Sequence, residues 1–388
     1  MCRSCPTVTE EEWARFTAVP TGEKEARMPE APVSSPYIVW FEDYTEDDRP
    51  RVGGKNASLG SMTTAGLPVP PGFAITTDAF ETLRADPVLV DVVRTQVASH
   101  DADDPHKLRR VSATIRSAIE EHPIPDDVEQ AIRSAYQAFS DRCGLEAVGV
   151  AVRSSATAED QPDASFAGQQ DTFLWIEGAD AVIEHVRRCW SSVFTDRAIA
   201  YRHTMGYPDS GISMSVGIQK MVDPRASGVA FTLNPTTGDR SQVAIDASWG
   251  LGEAVVSGEV TPDNFLVDKV LRTVIERKIS DKHIEYRHDG IGVSPCPVED
   301  ERRTQPCLTD EEILYVATMA RRAEKHYGVP QDVEWALDKD LPAGENVILL
   351  QARPETVWSK KPRESVSHGT YDPLASIVST LVAPIKKK

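Results

Sequence analysis

Residues 151 to 172 read Ala-Val-Arg-Ser-Ser-Ala-Thr-Ala-Glu-Asp-Gln-Pro-Asp-Ala-Ser-Phe-Ala-Gly-Gln-Gln-Asp-Thr, an apolar run that leads into an arginine and then a glycine-containing stretch rich in hydroxyls and amides. Ala147 to Val152 is small and apolar enough for a buried strand, with Arg153 at its end presenting a forked, permanently charged donor to phosphate oxygens. Beyond it, Gly168 lets a ligand approach the backbone closely, and the amides around Gln169 and the hydroxyl of Thr172 can donate to a polyphosphate. The Walker arrangement of Gly, four residues and Gly-Lys-Ser/Thr does not occur in the chain, so a nucleotide bound here uses another fold.

Composition narrows the partners. The net charge of -18, from 60 acidic against 42 basic residues, repels nucleic acid and anionic membranes, so a triphosphate must be drawn in by a local cluster of cations with metal ions helping. No stretch approaches the roughly 20 apolar residues of a membrane span and the N-terminus lacks a signal-peptide core, which makes the cytoplasm the expectation. The 6 cysteines are too sparse for a disulfide scaffold. Cys2 and Cys5 have the gap of a metal or redox site, but an unstructured leader suits their position better, and Cys296 with Cys307 is a remote zinc candidate.

Along the chain, residues 1 to 36 read as a loosely held extension, 37 to 223 as one lobe, 224 to 358 as a second, and 359 to 388 as a tail. Order is expected from the apolar run Tyr37 to Phe41. Residues 79 to 140 suggest two or three helices broken at Pro87, Pro105, Pro123 and Pro125. A helix over 181 to 203 would place Val182, Val186, Trp190 and Val193 on its core face, with His185 and His203 as ordinary surface or interface residues. Strands are expected at 213 to 222, 226 to 233 and 243 to 248, and 263 to 288 as a hairpin-like pair. Thr309 and Glu312 form a capping box for a helix from about 310 to 327, with Leu308 and Ile313 as its staple, and Gly328 with Pro330 stops it. In the tail, Asp372 and Pro373 look like the start of a short amphipathic helix through Leu374, Ile377, Val378, Leu381 and Val382, which docks on a partner chain or packs back on its own domain.

Strand alternation assembles a site. The strands 332 to 337 and 346 to 352, separated by a turn-rich Asp338 to Glu345, should pair as a hairpin with Glu334 beside Gln351 and Arg353 on the same face as Gln351. A carboxylate and an amide oxygen are hard ligands suited to Mg²⁺ bridging phosphates, with Arg353 balancing the charge; a polar edge-strand patch is the bland alternative. Lys55, after two glycines and before a short helix starting near Asn56, could reach a phosphate at that helix N-terminus, although a Gly-Gly-Lys loop is most often only a turn.

These blocks resemble the nucleotide-binding domain of the phosphoenolpyruvate synthase and pyruvate phosphate dikinase family. The likeness extends through Val52 to Gly60, Val69 to Phe73, Gly228 to Pro235, Gly250 to Glu253, Asp332 to Trp335 and Leu350 to Pro354, in the family's order over about residues 37 to 358. The resemblance implies an ATP-grasp fold of the α/β (α+β) class, with two lobes and the nucleotide between them, and ATP with Mg²⁺ as cofactors. It implies that Lys55 and Arg153 contact the ATP phosphates, beside Arg353 and the metal pair Glu334 and Gln351 read from the strands. The adenine edge is then read by Gln219, Met221 and Val222, with Glu253 a candidate for the ribose or the hinge; a strand that merely packs and turns explains Gln219 to Val222 equally well.

Family members pass phosphate through a histidine on a swivelling domain. None of the 9 histidines lies in the family's setting for it, His368 included. The expectation is a dikinase-type phosphotransferase with paired acceptors, split so that a separate subunit carries the phosphohistidine and acceptor domains, as in phenylphosphate and alkylphenol phosphate synthases. A phosphoenolpyruvate synthase-like subunit acting on pyruvate, a self-sufficient ATP-grasp ligase and a nucleotide sensor are the alternatives.

Overall fold

The computed structural model describes residues 35–99, 104–156, 171–205, 213–290 and 292–358. The expected phosphate-loop residues Gly168 and Gln169, Cys2 and Cys5, His368 and the tail helix lie outside the described residues. The chain forms two compact units, the first reaching Pro354 and the second beginning at Glu355. In the second, Glu355 accepts hydrogen bonds from the N–H groups of Val357 (2.6 Å) and Trp358 (2.9 Å).

The first unit is built on two antiparallel sheets. Strands β1 (Ile38–Trp40), β2 (Gly72–Ile75), β3 (Val150–Ala156), β4 (Thr172–Ile176) and β5 (Met214–Lys220) form a five-stranded sheet in the order β1-β2-β5-β3-β4. Strands β6 (Pro224–Phe231), β7 (Gln242–Trp249), β8 (Asp263–Asp268), β9 (Thr273–Lys278), β12 (Gln331–Asp338) and β13 (Val347–Pro354) form a six-stranded sheet in the order β13-β12-β6-β7-β8-β9. The remaining pair, β10 (Ile284–His288) and β11 (Val293–Pro297), stands apart. The sequence reading of 263 to 288 as one pair therefore needs correction. Its hairpin closes by Lys278, because Asp268 caps the turn by accepting from Val270 and Leu271 N–H at 2.7 Å, and the next strand finds a different partner.

The helices are α1 (Arg49–Thr64), α2 (Thr77–Arg84), α3 (Pro87–Ser99), α4 (Pro105–Glu121), α5 (Asp126–Cys143), α6 (Ala179–Ser191), α7 (Asp196–Met205), α8 (Glu253–Val256), α9 (Asp300–Arg303) and α10 (Asp310–Tyr327). Four helices, not two or three, fill residues 77 to 143, because Pro87 and Pro105 open helices rather than only ending them; a proline at the first helical position loses no intrahelical bond. The expected single helix over 181 to 203 breaks after Ser191 into a 3₁₀ turn, Ser192–Phe194, before α7, yet Val182, Val186, Trp190 and Val193 are all buried. His185 bonds Ala181 O and packs edge-on against Phe173.

Two apolar clusters follow from the strand alternation. One face of the five-stranded sheet, carrying Phe73, Ile75, Val150, Val152, Val216 and Ile218, packs on α2, α4, α5 and α6. One face of the six-stranded sheet, carrying Val333, Trp335, Leu337, Ile245 and Phe265, packs on α10 and takes in apolar residues of α1. Helix α10 has the expected capping box, with Thr309 Oγ1 accepting from Glu312 N–H and Glu312 accepting from Thr309 N–H, and ends at Gly328 in the left-handed region. On the opposite faces, Val39 and Ala74 of the five-stranded sheet join the cluster that takes in α1. Those opposite faces carry the polar residues.

Candidate functional site

Strand β3 runs to Ala156, so Arg153 sits within it rather than at its end. The strand continues because backbone carbonyls from other segments satisfy its serines: Ser154 Oγ donates to Asp171 O and Ser155 Oγ to Val52 O. Val150, Val152 and Ala156 face the core, which turns Gly149, Ala151, Arg153 and Ser155 to the other side. Antiparallel register sets Gln219 opposite Ala151 and Thr172 opposite Arg153, so both belong to that same side.

From there the Arg153 guanidinium crosses to the second sheet. Nη2 donates to Gln351 Oε1 at 2.8 Å and stands 3.6 Å from Glu334 Oε2; Nη1 donates to Leu350 O at 3.2 Å and, at the long end of hydrogen bonding, to Gln219 Oε1 at 3.5 Å. Glu334 and Gln351 are direct cross-strand partners, and a bulge between Glu334 and Trp335 leaves Leu350 without a register partner. One cation, one carboxylate, two amide oxygens and a carbonyl thus meet from both sheets. Orienting the Gln219 amide toward Arg153 leaves its Nε2, in a residue that is 3% exposed, without a hydrogen-bond partner among the described residues. A buried donor of that kind costs roughly 1–3 kcal/mol unless something supplies an acceptor.

The other expected site residues are distributed around this cluster. Arg353 lies one rung beyond Gln351 on the same face, where its Nε is 3.5 Å from its cross-strand partner Asp332. Lys55 follows a break in α1 at Gly53 (φ 69°, ψ 171°), which starts a new helical segment; the helix therefore begins earlier than Asn56, at Arg49, and is interrupted. Lys55 is close enough to Cys189 to pull its thiol down, against burial and Asp171, which together push that thiol well up. Met221 donates its N–H to Gly149 O at 2.9 Å, and Val222 is buried beside it. Glu253 opens α8 after a loop that Ser227 holds through Gly250 O (2.6 Å), and its carboxyl is pushed up by burial and then by Glu259. Cys307 is buried, with its backbone N–H on Asp263, and Cys296 contacts Ser294 O; among the described residues no group of three His, Cys, Asp or Glu could hold a metal.

Sequence reasoning missed one feature of this surface. A bulge in β4 puts Trp175 at φ 56°, and its ring lies over Gly149, where a Cβ would come within 2.9 Å of it. The ring stacks on His288 at the end of β10, with centroids 4.0 Å apart and planes at 12°. Both residues were unremarkable in sequence, and only the bulge brings them together.

Hard oxygen ligands beside a fixed guanidinium suit a Mg²⁺–phosphate group, which keeps one or two carboxylates and fills its remaining positions with phosphate and water oxygens. The Gln219 Nε2, without a hydrogen-bond partner among the described residues, adds a donor on the same face. Two mainly antiparallel sheets presenting such groups to each other define an ATP-grasp nucleotide-binding protein. The chain belongs to the family described as pyruvate phosphate dikinase, AMP/ATP-binding domain, whose model matches residues 49–371. It is 45% identical over 355 residues to a probable phosphoenolpyruvate synthase of Staphylothermus marinus, a match covering 86% of this chain and 43% of that protein. A probable phosphoenolpyruvate synthase of Methanothermobacter thermautotrophicus is 45% identical (85% of this chain, 47% of the relative), and the phosphoenolpyruvate synthase of Pyrococcus furiosus is 42% identical (84% and 44%). The chain spans less than half the length of these relatives. No described helix is long and apolar enough to cross a membrane.

Proposed function

We propose that this chain binds Mg-ATP between the lobes 37–223 and 224–358 and serves a dikinase-type phosphotransfer to a histidine carried elsewhere, on a further domain or a partner subunit. The observation that carries the reading is the meeting of Arg153, Gln219, Glu334 and Gln351 from two sheets around one guanidinium. Arg153 and Lys55 hold the phosphates as fixed positive charges, Thr172 donates a hydrogen bond, and Arg353 balances charge from the next rung. Glu334 and Gln351 hold Mg²⁺, which supplies neutralisation of the phosphate oxygens when bound. Gln219, Met221 and Val222 line the base end and Glu253 the ribose side.

Four of the described histidines are engaged away from the cluster: His326 with Ser61, His185 with Ala181 O, His288 with Trp175 and His122 facing Asp86. An incoming histidine attacking the β-phosphate would expel AMP and become pyrophosphorylated, water would then remove the distal group as inorganic phosphate, and the remaining phosphoryl group would pass to the acceptor. The names of the relatives favour pyruvate as that acceptor over a phenol or alkylphenol. Incubation with ATP, Mg²⁺, a histidine-bearing domain of a relative and either pyruvate or a phenol tests both points by nucleotide and product analysis. AMP with phosphate and a phosphorylated acceptor is expected; ADP as the sole nucleotide product overturns the dikinase reading in favour of a ligase.

A further inference from the structure

Helix α1 is tied to its surroundings by an unusual set of buried polar groups. Asn56 is 2% exposed, and Ser155 and Ser215 are 0% exposed. At the Gly53 break the helix loses its own hydrogen bonding, and Ser155 Oγ restores it across the gap, donating to Val52 O (3.0 Å) on one side and accepting from Asn56 N–H (3.3 Å) on the other. Asn56 Nδ2 then donates to Ser215 Oγ (3.0 Å), which donates to Ile75 O (2.7 Å). A Cβ at Gly217 would collide with Asn56 Oδ1, so the sheet has made room for this amide. Gly53 itself could not carry a Cβ, which would strike the Ser155 carbonyl and hydroxyl. One turn past Lys55, Ser58 Oγ donates to Ala352 O (2.8 Å), between Gln351 and Arg353.

Lys55 therefore lies in the first turn of a segment fastened to β3 and β5 on one side and to β13 on the other. Apolar side chains would dock a helix on a sheet without burying polar atoms, so a satisfied polar network at this point fixes position rather than adding adhesion. We propose that Asn56 and Ser155 are positioning residues for Lys55, holding the start of its helical segment so that the ammonium is delivered to the terminal phosphates. This rests on the proposed role of Lys55 as a phosphate contact.

The test is binding of ATP and of adenosine to the full chain, by calorimetry and ligand-observed NMR, for Lys55→Ala, Asn56→Ala, Ser155→Ala and the doubles with Lys55→Ala, each checked for folding by thermal melt. Lys55→Ala should weaken ATP about tenfold, and Asn56→Ala or Ser155→Ala by about three- to tenfold, with adenosine unchanged. Combined with Lys55→Ala they should add little, since they act through it. Ser155→Thr, which keeps the hydroxyl, should restore most of the loss, and the serine variants carry the test should Asn56→Ala fail to fold. Additive doubles, or equal losses for ATP and adenosine, overturn the positioning role alone. Undiminished ATP affinity in Lys55→Ala overturns the phosphate-contact reading, and the positioning role with it.

Discussion

The two sheets bring opposite chemistry to the same place. The non-core face of the five-stranded sheet is mostly small, with Gly149, Ala151 and Gly217, and contributes Arg153 and, through α1, Lys55. The corresponding face of the six-stranded sheet carries Glu334, Gln351, Asp332 and Asp246, the last held by Asn264 Nδ2 at 2.7 Å. The cations Arg153 and Lys55 come from one side and the hard oxygen ligands from the other, with Arg353 the one cation set among the latter. The two sides also satisfy each other, as the 2.8 Å bond from Arg153 to Gln351 shows. A ligand that places negative oxygens beside Arg153 and a divalent cation beside Glu334 exchanges that mutual pairing for two better-matched ones.

Removing the cation tests the division most severely. Arg153→Ala should lower ATP affinity by about 10- to 150-fold, the equivalent of roughly 1.5–3 kcal/mol for a charge-assisted contact, read by calorimetry with the fold confirmed by circular dichroism. An affinity within twofold of the parent removes Arg153 from the site.

The acidic side should behave differently. Glu334→Gln is expected to erase most of the gain in ATP affinity that Mg²⁺ confers, on the order of tenfold, while leaving Mg²⁺-free binding equal or slightly tighter because a negative charge near the phosphates is gone. A variant whose Mg²⁺ dependence matches the parent shows that the metal is held elsewhere.

Structural support for the cationic side gives a smaller effect. Gly53→Ala places a Cβ at φ 69° and against Ser155, and should cost at least about 1–2 kcal/mol of stability, seen as a lowered Tm. An unchanged melt would mean the break in α1 is not under constraint.

The smallest effect is expected where the β10–β11 hairpin meets the five-stranded sheet. His288→Ala should lose roughly 0.5–1.5 kcal/mol from the stack on Trp175, measured as a shift in the denaturant midpoint. No shift would reduce the stack to a passive contact.

Much of the acidic side was legible in the sequence. Period-two alternation and the turn between the strands put Glu334 opposite Gln351, and the hairpin has that register. The capping box of α10 was equally plain, because Thr309 and Glu312 satisfy each other three residues apart. The cationic side was harder to read. Ser154 and Ser155 looked like the start of a loop, and their strand conformation depends on Val52 and Asp171, which are distant in sequence. The extra helices before residue 143 were missed because proline ends one helix and opens the next with the same residue.

The sequence by itself determined the local pieces: the faces of the strands, the caps and stops of α10, a turn at the glycines before Lys55, and the kinds of group available for a phosphate and its metal. Those depend on neighbours within a turn or a hairpin, whose geometry the backbone period sets. Tertiary structure alone decided that β5 inserts between β2 and β3, that Arg153 reaches Leu350 and Gln351 nearly two hundred residues away, that Asn56 finds Ser215, and that a bulge turns Trp175 onto His288. Such pairings carry no local signal, because they are fixed by which apolar faces bury together, and the polar groups meet only after that packing has set the two sheets against each other.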